Sequence, residues 1–88
     1  MQHTLPLEKT RTIPTLIDLK PGERATFLGV LAGRQLSGRL IALGFTPGTE
    51  VEIMQNYRRG PLLVVVRGTF VALGRGEAGK VLVERKAL

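Results

Sequence analysis

RQLSGRLIALGFTPGTEVEI, residues 34–53, contains the change of hydrophobic period that decides the fold. Leu36, Leu40 and Leu43 fall at i, i+4 and i+7, which places them on one face of a short helix over about 34–43. Gly44 stands where a left-handed C-terminal cap belongs. Thr46-Pro47-Gly48-Thr49 then reads as a type II turn, because proline presets one φ and glycine accepts the positive one. After the turn Glu50, Val51, Glu52 and Ile53 alternate polar and apolar, the period of a half-buried strand, which is expected to run to Tyr57.

Working outward, Lys20-Pro21-Gly22-Glu23 repeats the Pro-Gly turn, preceded by Leu16, Ile17 and Leu19. Residues 24–31 (RATFLGVL) are rich in strand formers, with Gly29 marking a bulge or bend, and Gly33 ends them. Arg58-Arg59-Gly60-Pro61 turns the chain into a partner strand from Leu62 to Arg67. Gly68 breaks it, Thr69 to Leu73 resumes, and Val81, Leu82 and Val83 form the last strand. The pattern predicts a mainly β domain of five short strands, one helix and a short helical turn near 75–79. Such an arrangement limits its exposed edges by partial closure into a barrel. Residues 1–15, with two prolines, no glycine and no apolar periodicity, read as a flexible lead-in. Residues 16–84 make the domain, and 85–88 a basic tail.

Eighty-eight residues allow one core and no second lobe. With Phe27, Phe45, Phe70 and Tyr57 the only aromatic residues, Val, Leu and Ile fill the interior. Cysteine is absent, which excludes disulfides, a thiolate nucleophile and Cys-based zinc or iron–sulfur sites. The longest unbroken apolar run, Leu62 to Val66, is far short of the roughly 20 residues of a membrane span. No signal segment opens the sequence, so a soluble cytoplasmic protein is expected. The formal charge of +6 invites a nucleic-acid reading. Between Leu16 and Glu84, however, nine Lys or Arg face six Asp or Glu, so half of the excess lies in the ends.

Taken in order, Leu-Lys-Pro-Gly-Glu (19–23), Arg-Leu-x-x-x-Gly-Phe-x-Pro-Gly (39–48), Arg-Gly-Thr (67–69), and Ala-Leu (72–73) before Glu-Ala (77–78) resemble the pattern of the ferrous iron transport protein A (FeoA) family. The resemblance covers residues 16–84. It implies an SH3-like barrel working beside FeoB, the membrane protein with a cytoplasmic GTPase domain that carries ferrous iron into bacterial cells. The implied role is accessory and regulatory, with a family-level link to transition metal ions. Related barrels also occur as C-terminal domains of metal-dependent repressors, but nothing in this sequence supplies a DNA-reading helix-turn-helix. Two features depart from the pattern. Outward positions after Pro61, often charged in such proteins, are Leu63 and Val65, and Phe70 adds to them. Gly74-Arg75-Gly76 stands where a helix-friendly arginine pair is common, which predicts a loose turn.

Few residues offer chemistry. Gly74 to Lys80 fits Gly-x-Gly-x-x-Gly and seven positions of a phosphate-binding loop. Val81, however, replaces the magnesium-holding Ser or Thr, and the remaining chain is too short for the helix and parallel sheet required. A glycine-rich turn into the last strand is the plainer reading. His3 is the one imidazole and sits in the lead-in. Glu50 and Glu52 share a strand face, where a solvated surface explains them better than a cation site. Ser37 has no base near it in sequence, and Glu77 suits the start of a helical turn. No enzyme activity and no cofactor are expected.

Interaction surfaces remain. Arg58 and Arg59 at a hairpin tip suit either an acidic partner or mere solubility. Leu63, Val65 and Phe70 facing outward together form a patch that FeoB or self-association would cover. The alternative is a basic SH3-like nucleic-acid binder, for which Tyr57 and Phe70 are the available stacking residues.

Overall fold

The computed structural model describes residues 13–31 and 33–86. Both Pro-Gly pairs fold as type II turns, with Gly22 at φ +90 and Gly48 at φ +92. Each is closed by an i+3 bond, Glu23 N to Lys20 O (2.9 Å) and Thr49 N to Thr46 O (2.9 Å). The turns also extend the sheet. Gly48 N donates to Phe27 O, and Gly22 N donates to Ile53 O.

The strands are β1 (Arg24–Val30), β2 (Glu50–Gln55), β3 (Leu62–Val66), β4 (Thr69–Leu73) and β5 (Val81–Arg85), all antiparallel in the order β4-β3-β2-β1-β5. Alternate residues turn inward, so Val51, Ile53, Leu62, Val64, Val66, Val71, Leu73, Val81 and Val83 make a dry core. The bulge expected around Gly29 is present: the β1–β5 register shifts between Phe27 and Gly29, which leaves Leu28 as the extra residue. β2 stops at Gln55 and not at Tyr57. A second bulge at Met54, where the β2–β3 register shifts, bends it away.

Helix α1 (Arg34–Ala42) presents Leu36, Leu40 and Leu43 to the core, as its spacing predicts. It ends in a Schellman motif. Gly44, at φ +105, donates to Ile41 O, while Phe45 N reaches back to Leu40 O at 2.9 Å. The cap drives Phe45 into the core edge-on to Phe27, with centroids 5.6 Å apart.

Two elements differ from the sequence reading. Leu16–Asp18 forms a 3-10 turn, closed by the Asp18 carboxylate accepting from Thr15 N at 2.8 Å, and it plugs Leu16 and Leu19 into the core. The short helical turn expected near 75–79 is present as α2 (Arg75–Ala78), closed and regular where its glycines predict a loose one. Of the lead-in, residues 1–12 lie outside the described residues, so His3 is not placed. Pro14 O accepts from Val83 N, and Thr15 bridges Leu82, covering the outer edge of β5. Arg85, the first residue of the basic tail, ends β5 and donates to Glu23 Oε2 (2.8 Å) and Asp18 O (2.9 Å). Residues 87–88 lie outside the described residues.

Candidate functional site

The valine-rich run of β3 and the β-branched and aromatic residues of β4 pair without a break, from Leu62 opposite Leu73 to Val66 opposite Thr69. A two-residue turn joins them, with Arg67 at φ 51 and Gly68 at φ 77, the geometry whose twist suits a hairpin. A non-glycine residue is uncommon there, and Arg67 is secured by its side chain. Its Nε donates to Gly44 O (3.3 Å), and its Nη2 lies 3.4 Å from the hydroxyls of Thr46 and Thr49. Arg-Gly-Thr therefore fastens the β3–β4 hairpin to the cap of α1 and the second Pro-Gly turn.

This frame sets the outward row. Leu63 and Val65 face out from β3, Phe70 stands opposite Val65, and Ala72 stands opposite Leu63. Phe70 is 64% exposed, whereas Leu63 and Val65 are half-buried. No charged residue lies in either strand. The structure thus brings three of the predicted residues together and adds Ala72, which the alternation of Thr69 to Leu73 points to but whose small side chain draws no notice. Met54, the extra residue of the β2 bulge, is 44% exposed beside them in register between Val64 and Leu63. Periodicity cannot announce a bulge.

Arg58 and Arg59 are elsewhere. They are exposed in the β2–β3 connection, beyond the Leu62 end of β3, and form no ion pair among the described residues. Tyr57 precedes them and is 65% exposed, whereas Phe70 lies near the turn at the other end of β3. The two exposed rings do not share a stacking platform.

One strand further in, the outer face becomes charged. Arg24 Nε lies 3.6 Å from Glu50 and 3.8 Å from Glu52, and Lys86 Nζ is 3.0 Å from Glu50. The Lys86 ammonium, through its hydrogen bond, holds the Glu50 carboxyl below its ordinary range. Both carboxylates are already paired with cations. Among the described residues no group of three or more His, Asp or Glu could hold a metal ion.

Four amides of the phosphate-loop look-alike are occupied within the segment. Gly74 N donates to Glu77 Oε1 (3.2 Å), and Ala78, Gly79 and Lys80 donate to Gly74, Arg75 and Glu77 carbonyls. Glu77 itself pairs with Arg39 of α1. That guanidinium, then the Gly74 amide, lowers the Glu77 carboxyl against the opposing push of burial. The segment is a clamp between α2 and α1. Arg75 and Asn56 make a second clamp. Arg75 donates to Asn56 Oδ1 and Tyr57 O, while Asn56 Nδ2 donates to Ile17 O (3.0 Å) and Leu19 O (2.8 Å).

Comparison with known proteins places this geometry. The FeoA domain model matches residues 15–85. A candidate Fe(2+) transport protein A of Methanocaldococcus jannaschii is 32% identical over 65 residues, covering 74% of this chain and 78% of its own. The crystal structure of Stenotrophomonas maltophilia FeoA, a procaryotic SH3 domain protein complexed with zinc, superposes with a TM-score of 0.73. It is 34% identical and covers 81% of this chain and 89% of that one. The solution structure of FeoA from Chlorobium tepidum gives a TM-score of 0.78 at 28% identity, over 84% of this chain and 71% of that one. The matched range, the relative and the superposed folds agree: the chain belongs to the FeoA domain family and has its SH3-like fold.

Proposed function

We propose that this protein is a non-catalytic accessory module of ferrous iron transport that acts on the cytoplasmic side by contact with FeoB. The observation that carries the reading is the charge-free outer row of Leu63, Val65, Phe70 and Ala72 on a chain of net charge +6. A contiguous apolar row on an otherwise charged small domain suits a partner surface. Family membership supports ferrous iron transport as the setting, and the Methanocaldococcus relative bears that name. Contact suits these residues better than metal carriage, because Glu50 and Glu52 are engaged by Arg24 and Lys86. Arg58 and Arg59 add a charged rim. No helix among the described residues is long and apolar enough to cross a membrane.

The test is a titration of isotopically labelled protein with the FeoB cytoplasmic domain, with and without guanine nucleotide, and with the whole transporter in detergent. Backbone signals of residues 63–65 and 70–72 are expected to move most, and those of 58–59 less. Phe70→Ala is expected to weaken binding at least ~10-fold, as truncation of a central aromatic anchor does. Unmoved signals in every nucleotide state and with the full transporter overturn the proposal.

A further inference from the structure

The two edges of the sheet are treated differently. The outer edge of β5 is covered by Pro14 and Thr15, and that strand ends in Glu84-Arg85. β4 has none of the usual protections of an edge strand: no charge, no proline and no bulge. In a two-residue hairpin the pair next to the turn, Val66 and Thr69, exchanges hydrogen bonds, and so do alternate pairs beyond it. The backbone groups of Phe70 and Ala72 therefore point away from β3. Among the described residues neither has a hydrogen-bond partner outside the strand ladder.

From this the geometry points to a second copy of the chain as the occupant of the edge, pairing β4 with β4 antiparallel about a two-fold axis at Val71. In that register Phe70 N–H and C=O meet Ala72 C=O and N–H of the second copy, and symmetry repeats the exchange, so four donors and four acceptors are satisfied together. The side chains agree with the backbone. The large Phe70 lies opposite the small Ala72 of the other copy, and the two Phe70 rings become diagonal neighbours, ~7–8 Å apart at Cα and within aromatic reach. Val71 stays in its own core on the opposite face. Charge at the edge does not oppose this occupant. Each copy carries +6, yet β4 is neutral, so the copies can meet there without opposing like charges on the strands. The inference stands on the sheet edge and does not need the transporter reading.

The contact is small. One short strand and two outward apolar side chains per copy, Phe70 and Ala72, fall below the ~1,000 Å² of a standing interface, so a dissociation constant on the order of 0.1–1 mM is expected. Because the copies repel overall while the interface is uncharged, raising salt strengthens this dimer.

Sedimentation velocity from about 20 μM to 1 mM, at low and high salt, reads the equilibrium, and amide exchange reads the edge. The expected result is a monomer–dimer equilibrium tightening with salt, with the Phe70 and Ala72 amides protected in step with dimer fraction. Phe70→Lys places like charges across the axis, and Ala72→Pro removes a donor the fold does not use. Each is expected to raise the dissociation constant at least ~10-fold with the far-ultraviolet spectrum unchanged. Should the proline variant not fold, the lysine variant and the amide protection decide. A monomer at 1 mM overturns the inference, as does a dimer indifferent to both variants. Concentration-independent protection of these amides means that the edge is covered from within one chain, which also overturns it. Protection appearing only when FeoB cytoplasmic domain is added assigns the edge to that partner instead.

Discussion

Asn56 holds more of the fold than its position in a connection suggests. Its amide donates to two carbonyls of the 3-10 segment, Ile17 and Leu19, and its oxygen accepts from Arg75, so one half-buried side chain joins three parts of the chain. Those carbonyls lie beside Leu16 and Leu19, which are almost fully buried. Asn56→Ala removes three hydrogen bonds of about 1 kcal/mol each, and is expected to destabilise by roughly 2–3 kcal/mol. In a domain of this size that lowers the thermal midpoint by roughly 10–20 °C. Asn56→Asp separates the two halves of the role. It keeps the contact to Arg75 but presents an oxygen to two carbonyls, and is expected to be at least as damaging as alanine. Urea unfolding of the two variants checks this, and a well-tolerated aspartate assigns the dominant role to Arg75. None of it is legible in the sequence, because the partners lie 37 and 39 residues away and no local pattern encodes them.

Single-turn α2 shows the same limit for an element. Gly74, Gly76 and Gly79 argue against a helix, and propensity alone predicts a loose turn. The turn closes because Glu77 accepts from Gly74 N and pairs with Arg39, a residue on another element. Where the deciding residue is local, the sequence is readable. Gly22 and Gly48 at their turns, Gly44 at the cap and the Leu36, Leu40, Leu43 face are each dictated by a backbone angle or a period. For the candidate site, alternation reveals Leu63 and Val65 but not the Met54 bulge. The Glu77 clamp makes stability depend on pH in a definite direction. Its carboxyl is lowered in the folded state, so the stabilisation is complete above the unfolded value of about 4.3 and is lost as pH falls through the folded one. Glu23, lowered first by the Lys20 amide and also by Arg85, acts with the same sign. The unfolding midpoint is expected to stay level from pH 7 to pH 5 and to fall below about 4.5. Glu77→Gln is expected to start lower at neutral pH and descend less steeply. Parallel profiles for the two proteins would remove Glu77 from the account.

Over the whole molecule, charge is sorted by strand. The outer sheet face runs from neutral β4 and β3 to the Glu50, Glu52 and Arg24 cluster on β2 and β1, and Arg58 and Arg59 stand beyond the end of β3. A partner meeting both regions meets two kinds of physics, which salt separates. Burial of the apolar row is almost indifferent to ionic strength, whereas a contact between exposed arginines and an acidic patch is screened within about 8 Å at physiological salt. If the row carries the contact, affinity for FeoB cytoplasmic domain should change less than ~3-fold between 50 and 500 mM salt. The variants should divide the kinetics in the same way. Arg58→Glu with Arg59→Glu slows association, because rim charges steer encounter, while Phe70→Ala speeds dissociation, because the anchor is what must be pulled free. Surface plasmon resonance at two salt concentrations reads both rates at once, at protein concentrations far below those that populate a dimer. A steep loss of affinity with salt, with dissociation unchanged by Phe70→Ala, would move the contact from the β3–β4 row to the arginine loop.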